Sequence, residues 1–204
     1  MLDEYTSGII RRVLAETPPR VIKDPNLIPS AVMVLFYQKD DQHCILLNKR
    51  TDTVEHHKGE ISFPGGRKDD EDLSLLDTAL RETEGEMGIL AKDINVLGQI
   101  DDMPTNSNYL ISAFVGTIRY PYAFKPSDIE VAEIIEAPLS ILTDPEYFNL
   151  QVRMVGGQSL ECPEFNYLGH RIWGATGRVL YNFIKLLNNV SDEEAHWRKN
   201  QFNH

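Results

Sequence analysis

A chain of 204 residues is long enough to bury a core without disulfide or metal staples, and is most simply a single domain. Its 42% hydrophobic and 25% charged content is that of a globular protein in water. The formal net charge of -11 argues against nonspecific binding to nucleic acid or anionic membrane, which needs clustered lysine and arginine.

A phosphate-bearing ligand stays admissible, because metal cations can neutralise both parties locally. Cys44 and Cys162 form no C-x-x-C, no zinc spacing and no disulfide framework, so they are expected to be reduced thiols. The opening MLDEYTSGIIRRVLAE is too polar for a signal peptide, and no apolar run approaches a membrane span. The expected location is the cytoplasm.

In chain order, residues 4–16 place Ile9, Ile10, Val13 and Leu14 on one face of a short amphipathic helix. TPPRVIKDPNLIPS is a connector. SAVMVLFYQ and HCILLNKRT predict a β-hairpin, and EISFPGG a short strand ending in a Pro-Gly-Gly turn. A helix follows from about Asp72 to Glu86. INVLGQIDD and YLISAFVGTIR are two further strands, and SDIEVAEIIEAPLSILTD is a strand running into a short helix. QVRMVGGQSLEC is a second hairpin around Gly156 and Gly157. GHRIWGATGRVLYNFIKLLNNV passes from a strand into a closing helix with Val179, Leu180, Phe183 and Leu187 inward, and residues 191–204 are a frayed tail. The order predicts an α+β fold with a mixed sheet, residues 1–29 being the N-terminal helix and connector and 30–190 the core.

The helix within GGRKDDEDLSLLDTALRETEGEMG carries the chemistry. At about 100° per residue, Glu82 and Glu86 lie about 40° apart, with Gly85 on the same edge. Leu76, Leu80, Thr83 and Met87 form a separate stripe expected to face the sheet. Glu84 and Asp77 point elsewhere. Two carboxylates one turn apart can chelate a hard divalent cation. The same spacing is more often a solvated helix face, and spacing alone leaves both open. Gly85 is costly in a helix interior, by about 1 kcal/mol relative to alanine.

The stretch from Gly66 to Ile89 resembles the Nudix box, G-x5-E-x7-R-E-u-x-E-E-x-G-u with u apolar, the signature of Mg²⁺-dependent pyrophosphohydrolases. Gly66, Arg81, Glu82, Glu86, Gly88 and Ile89 fill their places. Asp72 stands where the first glutamate belongs, with one extra residue before Arg81, a variation similar to the coenzyme A pyrophosphatase branch. LLNKRTDTVEHHKGEISFPGG, SDIEVAEIIEAPLSIL and HRIWGATGRVL resemble that branch's flanking segments, although Glu55 occupies a position usually held by arginine.

The resemblance implies a Nudix fold, an α/β/α sandwich around a mixed central β-sheet, and cleavage of the diphosphate of coenzyme A or acyl-CoA. It implies Mg²⁺ or Mn²⁺ held by Glu82, Glu86 and the Gly66 carbonyl. Glu82 would also orient or deprotonate the attacking water, and Arg81 would orient the carboxylates. Arg50, Lys58 and Gly65 are the candidates at the substrate. Glu60, His56 and His57 are weaker candidates, and Trp173 and Tyr181 are expected in the core or an interface. The partner is a small nucleotide, with no nucleic acid and no membrane, and a homodimer is a candidate assembly.

Gly85 departs from the pattern, because the family has a glutamate there. Three outcomes are open: a weakened hydrolase, a site rebuilt with Glu130 or Glu133, or a protein that binds its nucleotide without cleaving it. Hydrolases of ADP-ribose or of a dinucleotide are the enzymatic alternatives.

Overall fold

The structure is a computed structural model that describes residues 4–52, 58–155 and 157–190. Its elements are α1 (Glu4–Glu16), β1 (Ile28–Lys39), β2 (Gln42–Arg50), β3 (Ile61–Ser62), β4 (Gly65–Arg67), α2 (Leu75–Met87), β5 (Asn95–Pro104) and β6 (Tyr109–Thr117). There follow β7 (Val131–Pro138), α3 (Leu139–Leu142), β8 (Phe148–Val155), β9 (Gln158–Tyr167), β10 (His170–Ile172) and α4 (Gly174–Asn188).

The first hairpin forms where two apolar runs flank a polar turn, with Asp40 and Asp41 both at positive φ. Its strands stay paired only from Phe36 opposite Ile45 to Lys39 opposite Gln42. Beyond that they part, and residues 61–67 enter between them. β3 pairs antiparallel with β2, Asn48 opposite Ser62, while β4 pairs antiparallel with β1, Ala31 opposite Gly66. The EISFPGG segment is therefore two short strands, broken at Phe63 and Pro64. On its other edge β1 runs parallel to β6, which pairs with β5, and β2 pairs with β7. The sheet is mixed, as the element order predicted.

β8, β9 and β10 form a second, antiparallel sheet. Helix α2 packs on β1 and β4, α1 on β5, and α4 on β9, β5 and α1. The inward residues expected of α1 and α4 are buried, Phe183 and Ile10 completely. Of the two aromatic residues expected in the core or an interface, Tyr181 is half-buried, packs against the core and stacks on Phe148, with ring centroids 5.4 Å apart. Trp173 is corrected out of the core, being 45% exposed and stacked under the Arg171 guanidinium. No helix among the described residues is long and apolar enough to cross a membrane. The tail and Gly156 lie outside the described residues.

Candidate functional site

Helix α2 begins at Leu75, three residues later than the sequence suggested, because Ser74 is its cap. The Ser74 hydroxyl accepts from the Asp77 N–H and donates to the Asp77 carboxylate, an N-cap. The helix ends at Gly88, whose φ of 68° is the left-handed stop that glycine supplies. The Lys125 and Ser127 N–H groups then bond to the free carbonyls of Met87 and Glu86.

The face this helix buries differs from the expected stripe. Thr78, Ala79, Thr83, Glu86 and Met87 are buried, while Leu76 and Leu80 are half-buried. Small side chains let the helix sit close to the parted strands, and Glu86 goes in with them. Glu86 is thus 3% exposed and belongs to the buried stripe, not to a separate acidic edge. Its Oε2 accepts the Asn48 Nδ2–H at 2.8 Å and the Gly65 N–H at 3.2 Å. Its Oε1 lies 3.7 Å from the Arg50 guanidinium.

Glu82, one turn earlier, packs its carboxylate on Gly66. A Cβ at residue 66 would lie 2.6 Å from Glu82 Oε1, so only glycine leaves room for it. Arg81 donates to Glu82 Oε1 at 2.8 Å and grips Asp72 with two bonds of 2.8 Å. Asp72 is buried and also accepts from Thr78 and from the Asp69 N–H. Arg81 thus bonds two carboxylates at once, Glu82 and Asp72.

The remaining candidates separate. Glu130 follows a turn in which its N–H bonds to Ser127, the residue that caps Glu86, and its charge acts on both Glu82 and Glu86. Glu133, the other proposed donor, lies 3.2 Å from His170 instead. Gly65 gives its N–H to Glu86. Lys58 is exposed in the turn before β3, and the Glu60 carbonyl accepts the Arg50 N–H. Glu55, His56 and His57 lie outside the described residues. Gly85 is exposed, and a Cβ there would meet nothing within 4 Å. It lines an open groove of about 550 Å³ with Asp77, Arg81 and Glu84. Sequence reasoning missed Asn48 and Ser62. The available signal was a polar residue closing the apolar run CILLN.

The electrostatics set these acids apart. Burial pushes Glu86 up to about 7, against the opposing pull of Arg50 and the Gly65 N–H. Burial also raises Glu82, partly offset by Arg81. Asp72 is held well below the ordinary carboxylate range by Arg81. A buried carboxylate whose nearest cation is beyond hydrogen-bond reach, beside a second one seated on a glycine, fits a hard divalent cation. Two acids meet that description. Among the described residues no three His, Cys, Asp or Glu side chains are clustered to hold a metal.

A family model described as the NUDIX domain matches residues 27–138. Similar proteins include two named "Uncharacterized Nudix hydrolase NudL". That of Photorhabdus laumondii is 31% identical over 171 residues, covering 82% of this chain and 89% of the relative. That of Yersinia enterocolitica is 33% identical over 145 residues, covering 71% and 74%. Among solved structures, a MutT/nudix family protein from Enterococcus faecalis aligns with a TM-score of 0.50 at 13% identity. It covers 91% of this chain and 74% of that one, a likeness of fold alone.

Proposed function

Because this chain belongs to the Nudix hydrolase family, whose members use divalent metal ions, we propose that it cleaves the diphosphate of coenzyme A or an acyl-CoA with Mg²⁺ or Mn²⁺. The products are 3′,5′-ADP and a phosphopantetheine. The observation that carries the reading is the pair formed by Glu82, seated on Gly66, and buried Glu86 one turn later. Coenzyme A is preferred over other diphosphates because of the flanking segments HKGEISFPGG and HRIWGATGRVL and the Asp72 form of the box. The two free thiols, Cys44 and Cys162, suit a reducing cytoplasm.

Glu82, Glu86 and the Gly66 carbonyl would hold the metal, and Glu130, whose charge reaches both acids, is the candidate for the third carboxylate that Gly85 does not supply. When bound, the ion polarises phosphoryl oxygens and acidifies a coordinated water. Arg81 occupies Glu82 Oε1, which leaves Oε2 to take the proton of the attacking water. Asp72, which accepts the Thr78 hydroxyl, fixes Arg81 in turn. Arg50 and Lys58 grip the phosphates beside Gly65, an arrangement a net-acidic protein needs in order to accept an anion.

Gly85 favours a second reading, a nucleotide-binding member with impaired catalysis. One assay separates the alternatives. Coenzyme A, ADP-ribose and a dinucleotide are incubated with each metal, beside Glu82→Gln. The expected result is 3′,5′-ADP from coenzyme A, with a loss of roughly 10²-fold or more in the variant. Turnover of ADP-ribose alone overturns the substrate, and an unimpaired Glu82→Gln overturns the site. A wild type that binds nucleotide but cleaves nothing establishes the second reading.

A further inference from the structure

We propose that Asn48, braced by Ser62, is a positioning residue that holds Glu86 by one carboxylate oxygen and so presents the other to the metal. The inference rests on the metal reading above and concerns two residues outside the box. Asn48 closes the apolar run Cys44–Leu47 on β2 and is 1% exposed. An amide buried that deeply is costly unless both of its ends are paired.

Both ends are paired, and in one direction. Asn48 Nδ2 donates to Glu86 Oε2 at 2.8 Å, and its Oδ1 accepts the Ser62 hydroxyl at 2.5 Å. In the ionised form that would bind a metal Glu86 can only accept, so the amide turns its NH₂ to it. Ser62, free to donate or accept, then completes the arrangement from β3. The Gly65 N–H joins Asn48 on the same Oε2. Oε1 is left facing the Arg50 guanidinium at 3.7 Å, too far for a hydrogen bond. The parted hairpin thereby fixes which oxygen of Glu86 is hydrogen-bonded and which meets only the Arg50 charge. With no carboxylate at Gly85, the aim of the remaining two acids matters more.

A purely structural tie between β2 and α2 would lower stability and leave metal affinity alone, so affinity is the deciding measurement. Chelator-treated protein is titrated with Mn²⁺ without substrate, following bound ion by paramagnetic resonance, for wild type, Asn48→Leu, Ser62→Ala and Glu86→Gln. Thermal melts run in parallel. Outer partners of metal ligands typically change affinity by roughly 10–100-fold, and that loss is expected for Asn48→Leu. Ser62→Ala, which removes only the brace, is expected to weaken binding by a smaller factor and decides the question if Asn48→Leu does not fold. If both bind Mn²⁺ as wild type does while Glu86→Gln has lost it, the role of Asn48 is overturned and the metal reading stands. If Glu86→Gln binds as wild type does, the metal reading falls and this inference with it.

Discussion

Glu82 lies against Gly66 so closely that a single methyl on the glycine would collide with its carboxylate, 2.6 Å from Oε1. The neighbouring Gly65 is confined differently. Its Cβ would sit 2.3 Å from the Ala31 carbonyl oxygen, which is backbone in the middle of β1. The two glycines should therefore fail in different ways. Gly65→Ala must shift a strand and is expected to cost about 1–3 kcal/mol. Gly66→Ala displaces only the end of a flexible side chain, so its cost in stability should stay under about 1 kcal/mol. Its diphosphatase activity should nonetheless fall by about 10²-fold, because displacing a reacting group by an ångström has that effect. Urea unfolding and a diphosphatase assay check the pair. A Gly66→Ala enzyme with full activity would remove Glu82 from the site.

Gly85 has the opposite surroundings. It sits inside α2 with open space where a Cβ would project. Gly85→Ala should stabilise the helix by about 1 kcal/mol, raising the melting temperature by about 2–4 °C in a chain of this length. Gly85→Glu should gain less, because a carboxylate in the last turn opposes the helix dipole. It should instead tighten Mn²⁺ binding, on the order of tenfold, by restoring a charged ligand. If Gly85→Glu binds Mn²⁺ no better than Gly85→Ala, residue 85 does not face the metal.

These contrasts show where sequence patterns end. The 3.6-residue period of α1 and α4 and the apolar runs of β1 and β2 were legible because they report burial on single elements. The parting of β1 from β2 was not, because it is made by residues 61–67 pairing with both strands across the chain. The buried stripe of α2 was misplaced for a related reason. Leu76 and Leu80 outweigh Ala79 and Thr83 in hydrophobicity, yet the parted strands select small side chains and a paired Glu86. Glu82, Glu86 and Gly66 became candidates because a motif named them. Asn48 and Ser62 did not, because their contacts exist only once β2, β3 and α2 meet.

The Asp72–Arg81 pair should be visible in the pH dependence of stability. Arg81 holds the Asp72 carboxyl below its ordinary 3.8, so in acid the unfolded chain binds the proton more readily than the folded one. The contribution is then fully present above pH 4 or so, and is lost as pH falls through the lower folded value. Asp72→Asn should cost about 2 kcal/mol near neutrality, where a charge-assisted hydrogen bond is broken. The gap to wild type should narrow below about pH 4. Denaturant unfolding between pH 3 and pH 7 tests this, and a gap that widens in acid contradicts the assignment.

Glu130 and Glu133 offer the sharpest test of whether another carboxylate stands in for the one Gly85 lacks. Both flank the start of β7, both are exposed, and sequence reasoning could not choose between them. The turn bonded through Ser127 to the end of α2 brings Glu130 within electrostatic reach of Glu82 and Glu86, whereas Glu133 meets His170. Glu130→Gln should weaken Mn²⁺ binding by about tenfold or more and lower turnover with it. Its stability should change by less than about 0.5 kcal/mol, as for other surface substitutions. Glu133→Gln should leave Mn²⁺ affinity unchanged. Equal losses in the two variants would point to a general effect of negative charge near the site, and a loss confined to Glu133→Gln would move the third ligand to the other side of β7.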